Sequence, residues 1–154
     1  MVYASFPWFS DWWNMRPIVK RFPKGTLVIR TELTVTSIAS SRPGEKVVCD
    51  AVWDTGANAS AISLGTARKL GLAPVQTAFF STANGRCEMP VYMVDMILPN
   101  GYEIKDIMVS GLDIQVCDAL IGMDVMTRGD MLISNTPCPR FEFRIPSKEV
   151  PSLT

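Results

Sequence analysis

The stretch that decides the fold is residues 51–63, which read AVWDTGANASAIS. An apolar run ends on one acid, Asp54, and small residues follow it before the chain turns apolar again. Gly56 permits a tight turn and the close approach of another backbone, and Thr55 offers a hydroxyl for a hydrogen bond. The pattern predicts a carboxylate held in a tight turn at the end of a buried strand, and such a carboxylate needs a partner.

Composition sets limits on the chemistry. The chain has 154 residues, 47% of them hydrophobic, with 15 basic and 15 acidic side chains, which predicts one globular domain with its own core. A net charge of zero predicts no nucleic-acid partner. Histidine is absent from the sequence, which excludes histidine-dependent nucleophiles and histidine-ligated zinc. We therefore expect no metal and no cofactor.

The cysteines and the hydropathy indicate a compartment. The chain has four cysteines and no CxxC pair: Cys49, Cys87, Cys117 and Cys138. Unpaired thiols of this kind are typical of a reducing environment, so a cytoplasmic location is expected. The chain lacks an apolar run of the length that a transmembrane helix needs. Peripheral membrane association through the N-terminal residues stays open.

Alternation predicts the first half of the domain. Residues 27–38 alternate apolar and polar side chains, which is typical of a half-buried strand. The turn RPGE at 42–45 leads into a second strand, KVVCDAVW at 46–53, so the two form a hairpin. A short helix follows, with Ser63 as its N-cap and Gly71 as its C-terminal stop.

The second half also contains mainly strand and turn signals. Asn84 and Gly85 form the strongest short hairpin signal in the chain, and a second turn lies at 99–101. The run at 117–122, CDALIG, predicts a short strand, and MDVMTRGD at 123–130 predicts a short helix. MLIS and FEFRI predict two last strands. The predicted fold class is all-β with one or two short helices.

Three segments are predicted. Residues 26–147 form the domain, and residues 148–154 form a flexible tail. Residues 1–25 form an aromatic arm that contains Trp8, Trp12 and Trp13. The arm either packs on the domain or a partner, anchors at a membrane interface, or is a removable prosegment that covers the site.

One carboxylate is a poor catalyst of amide hydrolysis, but two within hydrogen-bond reach share a proton, because both cannot ionise cheaply at that distance. The charged group then acts as a base toward water and the protonated group as an acid toward the carbonyl oxygen. The chain has only one Asp-Thr-Gly, at Asp54. A second Asp54 from a two-fold related chain supplies the partner, so we expect a homodimer.

The chain resembles the retropepsin-like aspartic proteases, and most closely their bacterial and cellular members. The resemblance rests on DTGA at 54–57, then ALIGMD at 119–124, and later GDMLISN and FEFRIPS. It extends over roughly residues 27–147 and leaves out the N-terminal arm. It implies a closed β domain that acts as a two-fold homodimer, with aspartic endopeptidase activity on extended polypeptides.

The resemblance also implies roles for the residues of the active-site loop. Asp54 is the catalytic acid of each subunit. Thr55 makes reciprocal hydrogen bonds between the two loops, Gly56 offers its backbone to the substrate, and Ala57 completes the loop.

Behind that loop, the resemblance implies a supporting segment. Leu120, Ile121 and Gly122 form a buried strand that threads behind the catalytic loop. Asp124 starts the short helix and ties back to nearby backbone, with helix capping as its expected role.

A flap is implied at residues 79–94, closing over a bound peptide. Its substrate-binding tip comprises Thr82, Ala83, Asn84 and Gly85. From alternation alone, the pockets for apolar substrate side chains are expected to be lined by Ile62, Val91 and Ile121.

The sequence departs from the viral pattern in one pair of positions. Viral members have an acid where this chain has Asn58 and an arginine where it has Met123. We expect an amide hydrogen bond or packing in place of that ion pair. Two alternatives to an active protease remain: a non-catalytic peptide-binding or dimerisation module, and a latent zymogen that needs N-terminal removal.

Overall fold

The computed structural model describes residues 15–82 and 85–147. The predicted arm up to residue 14, the flap-tip residues Ala83 and Asn84, and the predicted tail at 148–154 lie outside this range. In chain order the elements are β1 (Ile18–Arg21), β2 (Arg30–Thr36), β3 (Lys46–Trp53), β4 (Ala61–Ser63), α1 (Leu64–Lys69), β5 (Gln76–Thr82), β6 (Gly85–Ile97), β7 (Glu103–Leu112), β8 (Ala119–Ile121), α2 (Met123–Met126), β9 (Asp130–Ser134) and β10 (Arg140–Arg144). The prediction of a mostly β fold with short helices is confirmed.

The larger sheet has seven strands in the order β2-β3-β8-β4-β7-β6-β5. β3 pairs with β8 and β4 pairs with β7 in parallel, whereas the other pairs are antiparallel. β2 also pairs with β6, so the sheet curls back on itself and encloses the core. β8 therefore lies between β3 and β4, which places its C-terminal end beside that of β3.

The predicted first hairpin is present. β2 and β3 pair from Arg30 opposite Val52 to Thr36 opposite Lys46. Leu33 and Val35 are fully buried, whereas their neighbours along the strand face outward or are partly exposed. The alternating pattern thus predicted the buried face of β2 correctly, because a half-buried strand places every second side chain inward.

The predicted caps of the first helix are also present. The Ser63 hydroxyl accepts a hydrogen bond from the Thr66 amide at 3.0 Å, so Ser63 is the N-cap of α1. Gly71 follows the helix with a φ of +62°, a left-handed conformation that glycine adopts without steric cost. The turn after β6 likewise uses Gly101 with a φ of +86°.

Part of the segment predicted as an arm, residues 18–21, packs on the domain, which was one of the three alternatives for the arm. β1 pairs antiparallel with β10, with Ile18 opposite Phe143, and β10 pairs with β9. These strands form a second, three-stranded sheet in the order β1-β10-β9, which we call the terminal sheet. Ile18 is only 5% exposed and belongs to the core. The strand was assigned to the arm because four residues are too few to show alternation, and its partner lies more than a hundred residues away.

The core joins the two sheets. Phe141 and Phe143 of β10 are fully buried, and Trp53 of β3 packs against both of their rings. All buried side-chain polar atoms in the described part of the chain have a hydrogen-bond partner. Within residues 15–82 and 85–147, no helix is long and apolar enough to cross a membrane.

Candidate active site

The predicted turn after β3 is present and is rigidly held. The Asp54 amide donates to the Ile121 carbonyl oxygen of β8 at 2.9 Å, and the Ala57 amide donates to the Asp54 carbonyl oxygen at 3.1 Å. Asp54 is partly exposed, and Thr55 and Gly56 are exposed. The backbone of the loop is therefore hydrogen-bonded to β8 and within the turn, whereas the Asp54 side chain is partly exposed to solvent.

Gly56 contacts the carboxylate directly. Its amide donates to Asp54 Oδ1 at 2.9 Å. A Cβ added at residue 56 would lie 3.2 Å from the same oxygen, so a side chain here would crowd the acid. A hydrogen bond from a backbone amide fixes the orientation of a carboxylate. The loop thus holds one oxygen of Asp54 and leaves the other available.

A cluster around Ser60 ties the loop to the segment after β8. The Ser60 amide and hydroxyl donate to the two carboxylate oxygens of Asp124 at 2.9 and 2.7 Å. The Ser60 hydroxyl also accepts from the Gly122 amide at 3.0 Å. Ser60 is fully buried, so these hydrogen bonds are shielded from water. These hydrogen bonds hold Ser60, which follows the loop, close to Gly122 and Asp124, which follow β8.

The expected role of Asp124 needs correction. The N-cap of α2 is Gly122, which makes no side-chain cap hydrogen bond, and Asp124 lies in the first turn. Its carboxylate reaches across to Ser60 and also accepts from the Val125 amide in the first turn of its own helix at 2.9 Å. The expectation that Asp124 ties back to nearby backbone is met, because it accepts from the Ser60 and Val125 amides.

Gly122 allows the loop and the strand to approach. A Cβ at this position would lie 2.8 Å from the carbonyl carbon of Ala59 and 2.9 Å from the carbonyl oxygen of Ala57. Both are backbone atoms that cannot move aside cheaply. Residue 122 must therefore lack a side chain for the loop to pack where it does.

Asn58 and Met123 occupy the two positions at which the viral pattern has an ion pair. The Met123 amide donates to the Ala57 carbonyl oxygen at 2.9 Å, and the Asp124 amide donates to the Asn58 carbonyl oxygen at 3.2 Å. Met123 is partly buried and packs against the core. Backbone hydrogen bonds hold the two segments together here, while the Met123 side chain packs on the core and Asn58 is exposed.

The expected pocket lining is not observed for this chain. Ile62 and Ile121 are fully buried, and Val91 is 5% exposed, so none of them offers an open wall. Leu120 lies between two buried residues of β8 and is itself partly exposed. It pairs with Ala61 and with Val52. The side of β8 that reaches solvent beside the loop is therefore the Leu120 side.

The two strands of the hairpin that was predicted to be a flap are present. β5 and β6 pair from Gln76 opposite Val91 to Thr82 opposite Gly85, and Gly85 has a φ of +118°. The Arg86 guanidinium lies 3.9 Å above the Phe79 ring. The hairpin continues the sheet that carries the active-site loop, through β6, β7 and β4.

The sequence patterns did not identify two residues near Asp54, Ser60 and Trp53. Ser60 is a small polar residue between apolar neighbours, which was the only signal for a buried hydroxyl. In the described part of the chain, no group of three or more acidic or cysteine side chains could hold a metal ion.

Comparison with known proteins identifies the family. The family described as "gag-polyprotein putative aspartyl protease" matches residues 44–128, which is more than half of the chain. None of the proteins with curated descriptions matches.

Similar solved structures include a retropepsin-like aspartic protease from Rickettsia conorii, at 16% identity and a TM-score of 0.57, covering 83% of this chain and 88% of that chain. The EIAV protease in complex with the inhibitor HBY-793 is also similar, at 16% identity and a TM-score of 0.50, covering 69% of this chain and 91% of that chain. At these identities the similarity establishes the fold alone. The chain belongs to the gag-polyprotein aspartyl protease family and has the retropepsin-like fold.

Proposed function

We propose that the chain is an aspartic endopeptidase that acts as a two-fold homodimer, with one Asp54 from each subunit. The observation that carries the proposal is the Asp54 loop, in which one carboxylate oxygen accepts from the Gly56 amide while the side chain stays open to solvent. Family membership supports a peptidase. Because each chain carries one Asp-Thr-Gly, the second acid comes from a second chain.

The chemistry follows from two carboxylates at close range. They share one proton, since two negative charges at that distance repel strongly. The charged Asp54 removes a proton from a bound water, and the water oxygen attacks the peptide carbonyl carbon. The protonated Asp54 donates to the carbonyl oxygen. In the collapse of the tetrahedral intermediate the C–N bond breaks, the nitrogen takes up the proton that the first Asp54 removed from water, and a hydroxyl of the intermediate returns a proton to the other Asp54.

The terminal sheet supports the dimer. Among the described residues β9 is an edge strand, and three consecutive apolar side chains on it are 37 to 48% exposed: Met131, Leu132 and Ile133. An exposed apolar edge strand is a template for pairing with another chain. Antiparallel pairing of β9 with its two-fold copy is the arrangement we propose, with Thr55 hydrogen bonds linking the two active-site loops.

The substrate is proposed to be an extended polypeptide. Such a chain binds by backbone pairing, with alternate side chains entering pockets. The hairpin of β5 and β6 covers it as a flap, with Thr82, Ala83, Asn84 and Gly85 at the tip. Leu120, together with Ala57 of the active-site loop, replaces Ile62 and Ile121 as the proposed apolar pocket wall.

The test is a cleavage assay on a denatured-protein or peptide library, from acidic to neutral pH, with the full chain and Asp54→Asn. We expect cleavage by the dimer and a loss of at least about 10³-fold in Asp54→Asn, because the amide can act neither as the base nor as the shared acid. Sedimentation of both proteins shows whether the substitution leaves the dimer intact.

Other outcomes separate the alternatives. A folded dimer that cleaves nothing, with or without residues 1–14, would contradict the proposal and favour the peptide-binding or dimerisation module. Cleavage only after removal of residues 1–14 would identify a latent zymogen. The removal must stop before β1, because Ile18 belongs to the core.

A further inference from the structure

Trp53 immediately precedes Asp54, and its side chain points into the terminal sheet. The Trp53 ring centroid lies 4.8 Å from that of Phe141 and 4.8 Å from that of Phe143. Both phenylalanines are fully buried on β10, and Trp53 is 8% exposed. The residue before the catalytic acid is therefore packed on a strand of the terminal sheet.

Hydrogen bonds restrain Trp53 from the other side. Its indole Nε1 donates to the Thr31 hydroxyl at 3.0 Å, and its backbone amide donates to the Ile29 carbonyl oxygen at 3.0 Å. The ring cannot rotate without losing the indole hydrogen bond or leaving a void against the two phenylalanines. Because consecutive Cα atoms are about 3.8 Å apart, the position of Trp53 sets the position of Asp54.

β10 is itself fixed at several points. Ile18 of β1 pairs with Phe143. Gly129, after α2, lies so close that an added Cβ would be 2.7 Å from Phe143 Cζ and 2.2 Å from the Arg144 carbonyl oxygen. The terminal sheet is thus packed tightly under the ring of Trp53, and a shift of the sheet must move that ring.

We propose that Trp53 is a positioning residue that sets the Asp54 carboxylate relative to the terminal sheet and hence relative to the Asp54 of the second chain. The inference rests on the proposed function, in which the terminal sheet joins the two chains. Each chain then carries the same rigid connection, from β9 through β10 and Trp53 to Asp54. The separation of the two carboxylates is set by two copies of this connection.

A positioning role and a purely structural role predict different results. A smaller side chain at residue 53 lets the loop settle differently, and a misplacement of about 1 Å can cost on the order of 10²-fold in rate. Two carboxylates that move apart repel less, so their two apparent pKa values approach each other. Loss of core packing alone lowers the free energy of unfolding and leaves those two values unchanged.

The experiment compares Trp53→Leu with Leu70→Ala in the full-length chain. Leu70 is fully buried at the end of α1, so its truncation lowers stability without contacting the Asp54 loop. The measurements are kcat and KM from about pH 3 to pH 8, the melting temperature, and the titration of the Asp54 carboxyl carbon by NMR. Both variants are kept at temperatures and concentrations at which they are folded dimers.

For Trp53→Leu we expect kcat to fall by at least about 10-fold with KM within about twofold. The pH profile should narrow, with its alkaline limb at lower pH, and the two titration steps of the Asp54 pair should lie closer together. Leu70→Ala should lower the melting temperature and keep the wild-type profile. Trp53→Phe keeps an aromatic ring and should narrow the profile less.

Equal behaviour of Trp53→Leu and Leu70→Ala, with unchanged profile and titration, would overturn the positioning role while the proposed function stands. If Trp53→Leu does not fold, Phe143→Leu decides, because it removes one of the two supporting rings: a narrowed profile supports the proposal and an unchanged one contradicts it. A wild-type chain without cleavage, in which Asp54 titrates in one step, would overturn the proposed function and this inference together.

Discussion

At the scale of single residues, the Asp54 loop depends on two polar side chains that lie behind it, Ser60 and Asp124. Three of their hydrogen bonds, of 2.7 to 3.0 Å, connect Ser60, just before β4, to Gly122 and to Asp124 in the first turn of α2. Neither acid in this region is interchangeable with the other: Asp54 is open to solvent on its loop, whereas Asp124 is held by buried donors. Environment, and not residue type, separates Asp54, the proposed catalytic acid, from Asp124, which holds the backbone in place.

Ser60→Ala should lower the free energy of unfolding by about 1–3 kcal/mol, because the Gly122 amide loses its acceptor and Asp124 loses a donor in a buried site. Urea denaturation of both proteins measures the change. Ser41→Ala is the matched control, since the exposed Ser41 hydroxyl donates to the Gly71 carbonyl oxygen at 2.9 Å and should matter by less than about 0.5 kcal/mol. Equal losses in the two variants would contradict this account of Ser60.

Cys49 gives a prediction for alkaline pH. Burial, the largest cause, raises the pKa of its thiol from 9.0 to about 11. The unfolded chain thus loses this proton at lower pH than the folded chain, so the contribution is fully present below about pH 9 and is lost as the pH rises through about 11. Two pKa units correspond to about 3 kcal/mol, which is the upper limit of this contribution.

The free energy of unfolding, measured from pH 8 to pH 11, should fall less steeply in Cys49→Ala than in the wild type. The difference between the two curves isolates the thiol from the other groups that titrate in this range. Parallel curves would mean that Cys49 ionises as readily in the folded chain as in the unfolded one.

At the scale of elements, β4 and β8 are too short for alternation to identify their buried residues. Alternation over seven residues identified the buried side of β2 correctly. β4 and β8 have three residues each, and all three residues of β4 are buried. No period of two is visible in such strands, so Ile62 and Ile121 were assigned to pockets although both belong to the core. The burial of β8 between β3 and β4 shows that Leu120 is the one partly exposed residue of this strand.

The edge strand β9 gives a prediction for assembly. Leu132→Lys should raise the dimer dissociation constant by at least about tenfold, because a charge on an edge strand opposes pairing and two-fold symmetry places like charges near each other. Leu132 is 48% exposed, so the monomer should stay folded. Analytical ultracentrifugation and circular dichroism measure the two effects.

Val48→Lys is the control for this prediction, since Val48 is 63% exposed on β3, outside the terminal sheet. It should leave the dimer unchanged. A dimer that survives Leu132→Lys at wild-type strength would exclude β9 as the interface.

At the scale of the whole molecule, the terminal sheet joins β1 to β9 and β10 and contacts Trp53, the residue before Asp54. Ile18 packs into the core from β1, and Phe141 and Phe143 pack under Trp53 from β10. β1 therefore packs with the rest of the fold, and a truncation must keep it to preserve the core.

Two truncations test this boundary. Removal of residues 1–14 should leave the melting temperature within a few degrees of the wild type, because β1 is kept. Removal of residues 1–24 deletes β1 and with it the buried side chain of Ile18, a loss of about 2–5 kcal/mol from packing alone, with further loss from the pairing with β10. Scanning calorimetry of the three proteins measures the effect, and equal stability of the two truncated forms would place β1 outside the domain.

The sequence by itself determined the features that depend on neighbours along the chain: the hairpin of β2 and β3, the Ser63 cap and the turn at Asp54. In each of these, the interacting residues lie within one turn or one hairpin, so propensity and alternation report them. The tertiary structure decided the rest. The addition of β1 to β10, the Ser60–Asp124 cluster, the outward side of β8 and the packing of Trp53 on β10 join residues some sixty to more than a hundred positions apart. Such contacts exist only once the sheets have formed, because burial and hydrogen-bond partners at these positions are set by which strands become neighbours.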